Sequence, residues 1–88
     1  MIIFTDDQGY HDLGCFGGKH VQTPHIDQLC HEGIKLTDFY VAAPLCSPSR
    51  AALLTGCYPR RIGMATGSGF VVLLADHPWG LHQEEITF

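Results

Sequence analysis

The sequence predicts an α/β fold with a mainly parallel sheet, and three observations carry that reading. Residues 1–5 (Met-Ile-Ile-Phe-Thr) form a nearly continuous apolar run, the pattern of a strand buried on both faces. Residues 23–33 carry helix start and stop signals around a helical apolar period. Residues 34–43 return to β-branched and aromatic types, which suit a second strand. Strand, helix and strand in that order make a βαβ unit, whose crossover is right-handed.

The first strand ends abruptly in Asp6-Asp7-Gln8-Gly9-Tyr10. Two adjacent carboxylates at the carboxyl end of a buried strand lie where open α/β sheets place ligands. Hard oxygen donors of this kind suit Ca²⁺ or Mg²⁺. The competing reading is a plain turn, since Asp and Gly are turn residues. Residues 11–22 are glycine-rich and read as loop, without the G-x-x-x-x-G-K-[ST] string of a phosphate cradle.

Thr23 is an N-cap type, and Pro24 fits the first helical position because its missing N–H has no partner there anyway. Ile26, Leu29 and Cys30 fall on one helix face, Asp27 sits in the first turns, and Gly33 closes the helix. His25 and His31 belong to the polar face. After the second strand, Pro44 delivers the chain to Leu45-Cys46-Ser47-Pro48-Ser49-Arg50-Ala51-Ala52-Leu53-Leu54-Thr55-Gly56. Ser47 reads as N-cap, Pro48 as the first helical residue, Ala51 to Leu54 as helix formers and Gly56 as the stop.

Cys46 then precedes a helix N-terminus, where free N–H groups and the dipole favour anions and can lower a thiol pKa. Arg50 adds a guanidinium whose fork suits a tetrahedral oxyanion. The plainer alternative makes Cys46 a small buried hydrophobe and Arg50 a solvated side chain. If the two strands are parallel neighbours, Asp6, Asp7 and Cys46 converge at one sheet edge. Further along, Arg60 and Arg61 either attract anions or cap the helix. Residues 70–75 read as a strand, or as an apolar segment awaiting a partner.

Composition narrows the partners. Eighty-eight residues allow one small domain, and 45% hydrophobic against 16% charged residues describe a core-forming chain. Nine acidic against five basic residues give a net charge of −4, which argues against nucleic acid. The longest apolar run, residues 70–75, is too short to span a bilayer, and no basic-then-apolar leader precedes Met1. Cys15, Cys30, Cys46 and Cys57 could make two disulfides in any of three pairings. Cys15, His20, His25 and Cys30 fall at equal spacings, and a Cys₂His₂ zinc site is conceivable although the spacing matches no common zinc module.

The string Cys46-Ser47-Pro48-Ser49-Arg50 followed by Ala51 to Gly56 resembles the first signature of the type I sulfatases, C-x-P-S-R with its continuation. The opening strand with Asp6-Asp7-Gln8-Gly9-Tyr10 is similar to the family's D-D-Q-G-Y, and residues 12–17 to its D-L-G-C-Y-G. The runs from Thr23 to Gly33, from Thr55 to Gly63, and from Gly80 to Thr87 follow family patterns too, while residues 65–76 agree less well. The resemblance implies part of an alkaline-phosphatase-like sandwich. Residues 1–88 would be the N-terminal portion of a catalytic domain, because the family's G-K-W-H-L-G-like signature and a later Asp-Asn pair do not occur in them.

The function implied by the resemblance is hydrolysis of sulfate esters. Cys46, oxidised by a formylglycine-generating maturation enzyme, would hydrate and attack the sulfur. Asp6, Asp7 and the modified Cys46 would ligate one Ca²⁺, and Arg50 would hold the formylglycine and offset developing charge. The second hydroxyl of the hydrated aldehyde would then expel sulfate, a step closed to an unmodified thiol. Two carboxylates fall short of the roughly six to eight oxygens calcium takes, so residues 1–88 alone are expected to be inactive. The alternatives are a related phosphonate or phosphate ester hydrolase and a non-catalytic remnant. By resemblance the location is exported: periplasmic, secreted or lysosomal.

Overall fold

The computed structural model describes residues 1–66 and 69–88. They divide into two compact units, Met1–Phe39 and Tyr40–Phe88. The regular elements are two helices, α1 (Pro24–Glu32) and α2 (Cys46–Thr55), and two short strands, β1 (Ala65–Thr66) and β2 (Gly69–Phe70). Single 3-10 turns stand at Tyr10–Asp12 and Gly14–Phe16. Among the described residues no helix is long and apolar enough to cross a membrane.

The first unit is held by side chains that close backbone groups. The Asp12 carboxylate accepts from the Gly9 N–H at 2.7 Å and secures the first 3-10 turn. In the second, Gly14 and Cys15 point their N–H groups at α1. The Gly14 N–H reaches Thr23 Oγ1 at 2.9 Å, and the Cys15 N–H reaches Asp27 Oδ1 at 2.7 Å. Thr23 Oγ1 donates in turn to Asp27 Oδ1 at 3.0 Å. A Cβ on Gly14 would overlap the Asp27 carboxylate, so the approach needs glycine there. Lys35 covers the turn, its Nζ 5.2 Å above the Phe16 ring and 2.9 Å from the Cys15 carbonyl.

Helix α1 has the expected bounds, with Thr23 as N-cap, Pro24 at its start and Gly33 after the last turn. His25 and His31 are exposed as expected. The apolar face behaves differently. None of α1 is buried, and Ile26 and Leu29 are 44% and 65% exposed.

The two strands expected at residues 1–5 and 34–43 do not form. Both segments are irregular, and the parallel βαβ unit built from them is absent among the described residues. The reason is that a strand's N–H and C=O groups need a neighbouring strand, which helix periodicity supplies internally and strand composition does not. Among the described residues the sheet is the antiparallel pair β1–β2, with Ala65 opposite Phe70 and Thr66 opposite Gly69. The strand expected at residues 70–75 is reduced to its first residue in β2.

The second unit forms around α2. Its N-cap is Leu45, extended at φ −123° and ψ 151°, and the first helical bond runs from the Ser49 N–H to the Leu45 carbonyl at 3.1 Å. The helix therefore starts two residues earlier than Ser47 as N-cap implies, with Cys46 as its first residue and Pro48 as its third. Pro48 is tolerated there because the first turn's N–H groups have no intrahelical acceptor. Pro48, Ser49, Ala51 and Ala52 are buried, and Ala51 joins Ile62 and Met64 in a small core. Met64 is 1% exposed, and Cys57, Leu73 and Leu81 pack against this cluster.

Gly56 ends α2 at φ 66°, its N–H bonded to the Ala52 carbonyl at 2.9 Å. That left-handed conformation favours glycine. The chain then returns over α2: the Val71 N–H reaches the Met64 carbonyl at 3.0 Å, and the Leu73 N–H reaches Ser47 Oγ at 2.9 Å. The Phe88 N–H reaches the Leu54 carbonyl at 3.3 Å.

Two substitutions separate these contributions. No atom lies within 4 Å of a Cβ placed on Gly56, so Gly56→Ala is resisted by backbone conformation alone. Its expected cost is roughly 1–2 kcal/mol. Ser47→Ala removes the acceptor of the part-buried Leu73 N–H, at an expected cost of about 1 kcal/mol. Urea denaturation of both variants against the wild-type chain measures these costs. Unchanged midpoints would contradict this account of how α2 is closed at its two ends.

Candidate active site

The candidate residues fall in both units. Cys46 and Arg50 belong to α2, in the second; Asp6 and Asp7 belong to the first. Cys46 is the first residue of α2 and is exposed. Its Sγ is 4.0 Å from Ser47 Oγ. Arg50 follows one turn later and is half-buried. Residues four apart share a helix face, so the guanidinium-bearing side chain and the thiol rise from the same side.

Three local features set the chemistry of this end of α2. The N–H groups of its first turn have no intrahelical acceptors, and the aligned peptide dipoles place partial positive charge there. Pro48 removes one donor from that set without costing a helical bond. Arg50 contributes a permanent cation with paired donors. Ser47 is turned to another use, because its hydroxyl oxygen accepts from the Leu73 N–H and anchors the returning chain beside Cys46. Sequence reading could not find that contact, which joins residues 26 apart.

Asp6 and Asp7 stand at a bend after residues 1–5, and both are exposed. Asp7 has φ 49°, in the left-handed region that Asp tolerates better than most residues. Adjacent carboxylates in an exposed bend match a hard cation in donor type. They supply only part of a calcium shell, and among the described residues no three His, Cys, Asp or Glu side chains are grouped as a metal site.

The same holds for the equally spaced zinc candidates. Cys15 and Cys30 line one depression with Asp27 and His31, while His20 and His25 do not join them in a ligand cluster. Burial, then the Cys30 thiol and the Asp27 carboxylate, push the Cys15 thiol above its ordinary pKa. Asp27 is the residue whose importance the sequence understated: it reads as a first-turn acid but joins α1 to the preceding turn. Arg60 spends its guanidinium on the Thr66 carbonyl, 3.5 Å away, and Arg61 is exposed.

Comparison with known proteins agrees with the family resemblance of the sequence. The sequence model of the family described as Sulfatase matches residues 1–87. The chain is 53% identical to rat (Rattus norvegicus) steryl-sulfatase over 89 aligned residues, covering 100% of the chain and 15% of that protein. It is 52% identical to human arylsulfatase A over 87 residues, covering 99% of the chain and 16% of that protein. It is 47% identical to human arylsulfatase D over 89 residues, covering 100% of the chain and 15% of that protein. The chain thus spans about 15% of the length of these relatives. With residues 1–87 matched and Cys46 and Arg50 set one turn apart at the start of α2, the chain belongs to the sulfatase family.

Proposed function

We propose that this chain is the N-terminal portion of a sulfatase catalytic domain that hydrolyses sulfate esters, with Cys46 as the reacting position. The observation that carries the reading is the exposed Cys46 as the first residue of α2, with Arg50 one turn behind it. Cleaving a sulfate ester requires a nucleophile at sulfur, a site for the negative charge on its oxygens, and release of the alcohol. The modified Cys46 supplies a hydrated aldehyde as nucleophile, which is the chemistry a thiol lacks.

The chain's own residues do the rest of what these 88 positions can do. The first-turn N–H groups of α2 and the Arg50 guanidinium hold anionic oxygens and offset charge as it grows. Asp6 and Asp7 would hold a calcium ion by their carboxylates, and such an ion would supply Lewis-acid chemistry. Ser47 accepts the Leu73 N–H and so fixes the returning chain against the start of α2. Two carboxylates fall short of the roughly six to eight oxygens calcium takes, so residues 1–88 by themselves are expected to turn nothing over. The partners of the reading are a sulfate-ester substrate and a formylglycine-generating enzyme, and its location is an exported compartment.

Mass spectrometry of the Cys46 peptide is the direct test. Produced alongside the maturation enzyme, the peptide is expected to carry an aldehyde in place of the thiol. A thiol retained at position 46 in protein that cleaves sulfate esters would overturn the proposal.

A second test uses a protein carrying this chain within the length of its relatives, assayed on paired aryl sulfate and aryl phosphate substrates. Arg50→Ala is expected to lower kcat by about 10²- to 10³-fold, as loss of one charge-stabilising donor does elsewhere. Asp6→Asn and Asp7→Asn are expected to raise the calcium concentration needed for half-maximal activity. Preference for the phosphate substrate would transfer the reading to phosphate ester hydrolysis.

A further inference from the structure

Cys15 and Cys30 lie outside the proposed chemistry, yet the first unit is built so that they meet. Asp27 accepts the Cys15 N–H at 2.7 Å, and Cys30 follows Asp27 by three residues, one turn along the same face of α1. The Gly14–Phe16 turn is fixed on its other side by the Gly14 N–H bond to Thr23. Both cysteines are free thiols, half-buried, and together they line an open depression with Gly14, Asp27, His31 and Lys35. The Cys30 thiol is close enough to act on the ionisation of Cys15.

A metal is the less suitable occupant. The Asp27 Oδ1 atom already takes two hydrogen bonds, and the carboxylate abuts Gly14. His31 lines the depression too, but among the described residues no three His, Cys, Asp or Glu side chains are grouped to hold a metal. Two thiols without a third ligand make a poor zinc site and a good redox pair.

We propose that Cys15 and Cys30 form a reversible disulfide that fastens the Gly14–Phe16 turn to α1. The oxidant is a low-molecular-weight disulfide, for which the open depression gives access. One protein thiolate attacks a sulfur of that molecule, forming a mixed disulfide and releasing one small thiolate. The neighbouring protein thiolate then attacks the protein sulfur of the mixed disulfide, closing the bridge and releasing the second small thiolate. The two protein thiols lose two electrons and two protons, and the small disulfide gains them as two thiols. The bridge closes the loop from residue 15 to residue 30, which restricts the unfolded chain.

Closure has a pH signature. Cys15 must ionise for the exchange, and its thiol is held up by burial, by Cys30 and by Asp27, with His31 and Lys35 the other titratable groups around the depression. The closure rate is therefore expected to keep rising through neutral pH into the alkaline range, because only the thiolate attacks.

The experiment incubates the protein with a small-molecule disulfide, quenches with acid, blocks free thiols and maps peptides without reduction. The expected product joins the Cys15 and Cys30 peptides, disappears on reduction, and leaves the Cys57 peptide blocked. In Cys30→Ala, which lacks the resolving thiol, the Cys15 peptide is expected to accumulate the small-thiol adduct. No Cys15–Cys30 product, or a product joining Cys15 to Cys46 or Cys57, overturns the proposal. So does Cys15 blocking in the wild type at the rate seen in Cys30→Ala.

Discussion

Which elements form in this chain is decided by whether a backbone group finds a partner within reach. A helix closes its own hydrogen bonds, so α1 and α2 need only local signals and a few side-chain contacts at their ends. A strand closes none by itself. Residues 1–5 and 34–43 have strand composition and no ladder, and they remain irregular. Between these extremes stand the 3-10 turns of the first unit, where the side chains of Asp12, Thr23 and Asp27 take the N–H groups of Gly9, Gly14 and Cys15. Asp27 matters most among them, because a charged acceptor strengthens its bonds and it serves two donors from separate segments.

That division explains what could be read in advance. The bounds of α1 were legible because Thr23-Pro24 and Gly33 act on their own neighbourhood. The stop of α2 at Gly56 was legible for the same reason. Its start was misplaced because Pro48 is compatible with more than one early helical position, and the extended backbone at Leu45 makes the choice. The strands were misjudged because apolar, β-branched composition does not name the ladder partner a strand needs, which is not local in sequence. Cys46 and Arg50 could be found as a spaced motif, whereas the Ser47–Leu73 bond depends on tertiary return of the chain.

The motif coincides with the start of α2, where several of its positions have a structural part. The helix terminus offers about 0.3–1 kcal/mol to an anion at an exposed site, too little to organise a reaction. In the proposed reading a guanidinium on the same face, Arg50, would add a full charge and paired donors to that. Pro48 and the buried Ser49, Ala51 and Ala52 hold the turn against the second unit's core, and Cys46 is left exposed. Packing and exposure are thus divided between the two sides of one helix.

The apolar surface of the described residues bears on the same point. Ile34 is 90% exposed, Tyr40 is 82% exposed, and the neighbouring Leu36, Phe39 and Val41 are exposed as well. Burying a side chain of this kind is worth roughly 1.5–3 kcal/mol, so such a run is a large unspent stabilisation. Pairing into a sheet would supply both backbone partners and side-chain cover at once. Ladder and burial therefore stand or fall together in residues 34–43, whereas α2 and its core already have the partners they need in Ile62, Met64 and Leu73.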